Sequence, residues 1–210
     1  MLLRDNLYET IRDEILTCRL MPGEEVREQE LASRYEVSRQ PVREALLRLE
    51  RERLIIVNPR QGYQVNPISL SDARDLFRFR LALEPACAAE AIENAQDDVL
   101  EALDAFRIFD AKLPFIEYNR AFHCALARAS GNIRMSSAAC DLIEQADRLV
   151  RVSIGSIKGR DPTQLVAEHV AIIEAVQRRD VRTARRLIKT HVVSAEKRVL
   201  SALSRSAVRL

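Results

Sequence analysis

The segment 38–65 constrains the fold of this chain more than any other part, because it places one short helix before two short β-prone runs. Ser38 occupies an N-cap position and Pro41 falls in the following first turn, where its missing N–H costs nothing, so a helix is predicted to begin here. The runs at residues 54–57 and 63–65 are separated by a turn-rich loop, which predicts a two-stranded wing.

Two more helices are predicted before this segment. One begins after Asp5, carries apolar residues at four-residue steps and ends before the turn at residues 22–23. The other is short and covers about residues 28–35. Three helices followed by a hairpin predict a winged helix-turn-helix domain over residues 1–66.

The polar residues on the outer side of this domain predict contact with DNA. They lie at the N-terminus of the third helix, the end that such domains place in the major groove, and at the tip of the wing. The candidates are Ser38, Arg39, Gln40, Arg43, Arg60, Gln61 and Gly62. Residues 1–66 are near neutral, but from residue 39 to residue 60 arginines outnumber glutamates by six to three. The alternative, a helical hairpin used for protein contacts, explains neither the wing nor the outward arginines.

Residues 7–66 resemble the DNA-binding domain of the GntR family of bacterial transcription regulators. The resemblance implies that Arg39, Gln40 and Arg43 contact bases or phosphates and that Gly62 approaches the minor groove. Some members carry a DNA-contacting arginine where this chain has Gln29. The matching motifs are Pro22-Gly23-Glu24, Glu30-Leu31-Ala32, Val37-Ser38-Arg39 and Arg43-Glu44-Ala45-Leu46.

The length of 210 residues leaves room for one larger domain. No apolar run approaches the roughly 18 residues of a membrane span, and the N-terminus lacks a signal-peptide stretch, so we expect a cytoplasmic protein with no membrane partner. The cysteines show no CxxC spacing and are expected to be reduced residues in or near the core, although Cys124 beside His123 leaves a redox or ligand role open. They are Cys18, Cys87, Cys124 and Cys140.

A second domain is predicted over residues 70–210, after a proline-bearing hinge at residues 67–69. Its patterns are helical throughout, so the fold class is mainly α: a winged helix-turn-helix followed by an all-α bundle. Pro85 is expected to kink or divide the first helix, and Asp161 and Asp180 are expected to cap later ones. The helices are predicted at about residues 69–91, 99–109, 115–129, 132–152, 162–178 and 181–203.

The three histidines of the chain each lie on the apolar stripe of a different helix, so His123, His169 and His191 are predicted to point inward. A single such histidine is more often a core residue bonded to a neighbour. Three buried imidazoles need partners, however, and one metal ion would satisfy them together. Asn119 stacks one turn before His123 and can give an oxygen ligand. This donor set suits zinc, nickel, manganese or iron.

Residues 70–205 resemble the FCD effector domain of the FadR subfamily of GntR regulators. The resemblance implies that Asn119, His123, His169 and His191 bind a divalent metal, and that a small organic acid places its carboxylate on or near it. Many relatives have aspartate at the position of Asn119. The candidate residues for clamping the acid are Arg80, which matches an arginine often near the pocket, and Arg148 and Arg151 on a later helix.

The combined pattern predicts a ligand-responsive transcription regulator that binds a pseudo-palindromic operator as a homodimer. Release of DNA by the effector, which makes the protein a repressor, is the expected mode. Two alternatives remain: the metal itself is the signal, or the histidines are purely structural. A metal-dependent enzyme is a third class, but no general base or nucleophile motif accompanies the histidines.

Overall fold

The computed structural model describes the backbone of residues 3–112, 114–154 and 162–207, and the side chains of residues 7–112, 114–151 and 162–204. The chain divides into two compact units, Met1–Ser69 and Leu70–Leu210. The described strands all lie in the first unit, and the remaining regular elements are helices. The predicted fold class is therefore confirmed.

The first unit is a three-helix winged domain. Its helices enclose an apolar core in which Ile11, Leu46 and Leu49 are fully buried. Ser38 is the N-cap residue of the third helix, as expected, but its side chain makes no capping hydrogen bond. The elements are α1 (Leu3–Leu16), β1 (Glu25–Val26), α2 (Glu28–Arg34), α3 (Arg39–Arg51), β2 (Ile55–Asn58) and β3 (Gly62–Val65).

The wing has three strands where the sequence predicted two. The order is β1-β3-β2, and both pairs are antiparallel. Gly62 begins β3 with φ of +107°, a backbone conformation that residues other than glycine rarely adopt. A Cβ at this position would also lie 3.4 Å from the carbonyl oxygen of Val26. Since 3.4 Å is close to an ordinary van der Waals distance, the positive φ rather than a lack of space favours glycine here.

The second unit is built from helices packed around α4. This helix packs along α9, and α7 packs against both α4 and α6. No helix among the described residues is long and apolar enough to cross a membrane. The elements are α4 (Leu70–Asn94), α5 (Asp97–Glu101), a 3₁₀-helix (Ala102–Phe106), α6 (Phe115–Ala129), α7 (Ile133–Ile154), α8 (Pro162–Gln177) and α9 (Val181–Ala207).

One local expectation is narrowed by the structure and one differs from it. Of the two alternatives for Pro85, division of the helix is excluded, because α4 continues for nine residues beyond it to Asn94. Pro85 is buried, so packing against the neighbouring helices offsets the loss of its backbone hydrogen bond. The helix predicted at residues 99–109 is instead α5 followed by a 3₁₀-helix that ends at Phe106. The carbonyl of Phe106 accepts a 2.6 Å hydrogen bond from the hydroxyl of Tyr118 rather than continuing the helix.

The two predicted caps have different outcomes. Asp180 caps α9, because the backbone N–H of Thr183 donates to its Oδ1 at 3.0 Å. Asp161 lies outside the described residues.

Candidate metal centre

The three histidines meet in the interior of the second unit. His123 lies on α6, His169 on α8 and His191 on α9, and each is at most 4% exposed. One ring nitrogen from each lies within 4.8 Å of those of the other two. The apolar stripes that predicted inward orientation therefore bring all three imidazoles to one point.

The Nδ1 atom of each imidazole contacts an oxygen of a neighbouring side chain. The Nδ1 of His123 lies 2.9 Å from Glu84 Oε2, and the Nδ1 of His191 lies 2.6 Å from Glu168 Oε2. The Nδ1 of His169 lies 3.4 Å from the hydroxyl oxygen of Tyr118. Since that hydroxyl donates its proton to a backbone carbonyl, the histidine must be the donor. Such outer partners fix the tautomer and orientation of metal-binding histidines.

These contacts place the proton of each ring on Nδ1 and leave a lone pair on Nε2. The Nε2 atoms of His123 and His191 lie 3.2 Å apart, so two acceptors face each other. The Nε2 of His169 is buried and has no hydrogen-bond partner among the described residues. A cation satisfies all three lone pairs, and metal–nitrogen bonds of about 2.0–2.1 Å suit nitrogens at such separations. The residues therefore fit a divalent metal.

The protonation states agree with this arrangement. Burial lowers the pKa of His169 far below its ordinary value, and the neighbouring histidines lower it further. Burial also lowers the pKa of His191 to about 4, although Glu168 acts in the opposite direction. Both rings are neutral near pH 7, which is the form that binds metals. Burial would raise the pKa of Glu84, but the charge of Arg80 and the contact with His123 lower it on balance.

A cavity adjoins the imidazole of His191. Its empty volume is about 620 Å³, counting the mouth that opens to solvent. His191 and Asn119 belong to its wall, together with Arg80, Asp147 and Arg198. Apolar side chains such as Phe115, Ile143 and Leu165 complete the wall. The cavity therefore suits a small molecule that has an apolar part and an anionic part.

The candidate arginines lie in different places. Arg80 is buried on α4, lines the cavity, and donates from Nε to Glu84 Oε1 at 2.5 Å. Arg148 is buried and Arg151 is half-buried on α7, and neither lines the cavity. Sequence reasoning had not named Asp147 or Arg198 as cavity residues.

The carboxylates behind the imidazoles were also missed. Glu84 follows Arg80 by four residues, a spacing that predicts an ion pair on one helix face. Glu168 precedes His169 directly, but its partner is a histidine on the next helix, which no local pattern reveals.

The candidate DNA-contacting residues are exposed on the first unit. Ser38, Arg39, Gln40 and Arg43 lie at the N-terminus of α3, and Arg60 and Gln61 lie in the turn between β2 and β3. Gly62 beside them is half-buried.

Arg39 and Arg43 of α3 each donate hydrogen bonds to a side chain of α2. Arg43 donates to both carboxylate oxygens of Glu28, at 2.8 and 3.0 Å, and the hydroxyl of Tyr63 donates to the same carboxylate at 3.0 Å. The hydrogen bond from Arg43 lowers the pKa of Glu28. Arg39 donates to Gln29 at 2.9 Å. Glu28 therefore links α3 to β3, the wing strand that carries Tyr63.

A winged helix-turn-helix unit in one chain with a helical unit that contains a cavity lined by both polar and apolar residues defines a DNA-binding transcription regulator with an effector-binding domain. The family follows from the matched segments. Residues 3–65 match the model of bacterial regulatory proteins of the gntR family, and residues 75–194 match the FCD domain. The chain belongs to the GntR family and carries an FCD effector-binding domain, and it is a regulator rather than an enzyme.

Named relatives agree with this assignment. The chain is 31% identical over 201 residues to the HTH-type transcriptional repressor RspR of Escherichia coli (strain K12). The alignment covers 89% of this chain and 84% of that protein. It is 27% identical over 202 residues to the HTH-type transcriptional repressor GlaR of the same organism, with 89% and 91% covered. A putative transcriptional regulator GntR from Rhodococcus sp. RHA1 has the same fold, with a TM-score of 0.76 at 23% identity over 94% of this chain and 97% of that one.

Proposed function

We propose that this protein is a ligand-responsive repressor whose FCD domain binds a divalent metal and a small organic acid in one cavity. The observation that carries the proposal is the orientation of the three imidazoles. Their Nδ1 atoms are engaged by Glu84, Glu168 and Tyr118, and their Nε2 lone pairs converge in the interior beside the cavity. A purely structural cluster would have no reason to leave a buried nitrogen without a hydrogen-bond partner.

The residues that would hold the metal are His123, His169 and His191, with the amide oxygen of Asn119 as a further ligand from the cavity wall. Zinc, nickel, manganese or iron(II) would suit imidazole ligands. All four ligands are neutral, so a bound divalent ion would supply uncompensated positive charge to the cavity. This charge favours an anionic ligand.

The carboxylate of the acid is expected to lie near Arg80. Its guanidinium lines the cavity, and its position is fixed by the ion pair with Glu84. A carboxylate that bonds to a guanidinium gains from charge-assisted hydrogen bonds. Arg198 lines the same cavity and is a second cation for the ligand. These arginines favour an organic acid over the metal alone as the signal.

The first unit would bind a pseudo-palindromic operator as part of a homodimer, with Arg39, Gln40 and Arg43 in the major groove. Arg60 and Gln61 would contact the backbone or minor groove beside it. Two relatives carry the name repressor, and this supports repression as the mode of action. We place the hinge between the DNA-binding and effector-binding units at residues 67–69.

Titration of operator binding with organic acids tests this proposal. An active acid should change the affinity of the full-length protein for operator DNA by roughly 5- to 150-fold, the usual size of an allosteric coupling. Arg80→Gln should reduce the effect of the acid on operator affinity, because the carboxylate of the acid loses the buried guanidinium that binds it. Arg78→Gln is the matched control, since Arg78 lies on the same helix with its side chain 75% exposed. Unchanged operator affinity across a broad panel of acids would contradict ligand control.

A second prediction concerns the carboxylate behind His191. Glu168→Gln should weaken metal binding by about 10- to 100-fold, because an amide holds the imidazole less firmly than a carboxylate does. Glu174→Gln on the same helix changes an exposed glutamate and should leave metal affinity unchanged. Competition with a chromogenic chelator measures both. Equal affinities for the two variants would show that Glu168 does not support the metal site.

A further inference from the structure

Asp147 is the feature of the cavity that the proposed function does not use. It lies on α7, is 4% exposed, and belongs to the cavity wall. Its Oδ2 atom is buried and accepts no hydrogen bond from any residue that the structure describes. An ion pair with Arg120 is long, at 3.9 Å between Nε and Oδ2.

A buried carboxylate in this state lacks the donors that normally accompany one. Burial raises the pKa of Asp147 to about 7, even though Arg120, Arg151 and Arg80 act to lower it. The surrounding positive charge is therefore not enough to replace the lost solvation. A hydrogen-bond donor that enters the cavity would satisfy the orphaned oxygen.

The charges near Asp147 indicate what kind of donor this is. Arg120, Arg151 and Arg80 lower the pKa of its carboxyl group and Glu144 raises it, and Arg198 also lines the cavity. A ligand ammonium group would be repelled by this excess of positive charge, and a metal ion at the histidines would add to the repulsion. A hydroxyl group donates a hydrogen bond without carrying charge. The environment therefore favours a hydroxyl.

We propose that Asp147 determines specificity by accepting a hydrogen bond from a hydroxyl group of the ligand, so that the effectors are hydroxycarboxylic acids. This inference rests on the proposed function, because it assumes that the cavity is the effector site. One end of the acid is placed by Arg80, and the hydroxyl is placed by Asp147, which belongs to the same wall. The apolar residues of the wall contact the carbon chain.

The test compares acids that differ by one hydroxyl. Calorimetric titration of the full-length protein as purified uses the pairs glycolate and acetate, 3-hydroxybutyrate and butyrate, and malate and succinate, which place the hydroxyl at different distances from a carboxylate. In at least one pair the hydroxy acid should bind roughly 10- to 150-fold more tightly, the range for a hydrogen bond to a charged group. The matching amino acids, such as 3-aminobutyrate, should bind more weakly than the hydroxy acids.

Substitutions at Asp147 identify the residue responsible. Asp147→Ala should reduce the difference within the selective pair to less than about threefold, while the deoxy acid keeps its affinity. Asp147→Asn retains a neutral acceptor and should keep part of the difference, since charge-assisted hydrogen bonds are about twice as strong as neutral ones. Asp141→Ala, on the exposed side of the same helix, should behave as the wild type. Circular dichroism confirms that each variant is folded.

Each adverse result has a distinct meaning. If hydroxy and deoxy acids bind equally in every pair, or if the amino acids bind best, the assignment of a hydroxyl to Asp147 is wrong while acid binding stands. The assignment is also wrong if Asp147→Ala keeps the full selectivity. If no acid of any kind binds, the proposed function fails and this inference fails with it.

Discussion

Replacing His123 with alanine should remove most of the bound metal from the purified protein. Structural zinc sites in proteins bind with roughly 10–16 kcal/mol, so an equal share for each of three or four ligands is about 3–5 kcal/mol. The loss of one imidazole should then weaken binding by roughly 10²- to 10⁴-fold. His191→Ala should have an effect of the same size. Elemental analysis after dialysis, together with chelator competition, measures it.

Cys124→Ala provides the matched control for this experiment. Cys124 is the residue after His123, is also buried, and does not belong to the imidazole cluster. Its replacement should leave the metal content unchanged. If both histidine variants stay folded and retain wild-type metal content and ligand response, the histidines are structural and the metal site is misassigned.

The double substitution Arg39→Ala, Arg43→Ala should nearly abolish specific operator binding. A bidentate arginine–guanine contact contributes about 1–3 kcal/mol, so two such contacts correspond to roughly 30- to 10⁴-fold in affinity. Fluorescence anisotropy with an operator selected from random DNA by the wild-type protein measures the loss. The first unit is near neutral overall, so little bulk charge is available to compensate.

Arg51→Ala is the control, because Arg51 is exposed at the opposite end of α3. Its affinity for operator should remain within about twofold of the wild type. The salt dependence separates two roles for the single variants at positions 39 and 43. A lost phosphate contact lowers the salt slope by about one, whereas a lost base contact relaxes the sequence preference. Unchanged affinity in the double variant would mean that α3 does not enter the major groove.

Long apolar periodicities predicted the helices well, and short elements were the main source of error. The stripe of α6 predicted the extent of that helix, and the stripe of α9 predicted its start at Val181 but an end four residues before Ala207. Both stripes predicted the inward direction of His123 and His191. Strand β1 has only two residues, and no alternation can be read from so short a run. It exists because β3 offers it an edge, which is a tertiary effect.

The polar wall of the cavity was harder to predict, because it depends on the rotational phase of α7. The residues of α7 that line the cavity are spaced as one helical stripe: Ile143, Ala146, Asp147 and Val150. Arg148 and Arg151 each follow a residue of this stripe by one position, which turns them about 100° away from it. The sequence identified the helix, but its pattern of charged residues could not show which of them faces the cavity. Asp147 was therefore missed, although it is adjacent to Arg148.

The ion pair between Arg80 and Glu84 connects the proposed acid site to the proposed metal site. Arg80 faces the cavity, Glu84 accepts from Arg80 at one oxygen, and its other oxygen orients His123. In the proposed function, an acid bound to the guanidinium of Arg80 and a metal bound to the imidazole of His123 would therefore both act on the carboxylate of Glu84. Linkage requires the effect to be reciprocal: if the acid tightens the hold on the metal, the metal tightens the hold on the acid by the same factor. The change in operator affinity would then depend on the concentrations of both the acid and the metal, and a low concentration of either would abolish the response.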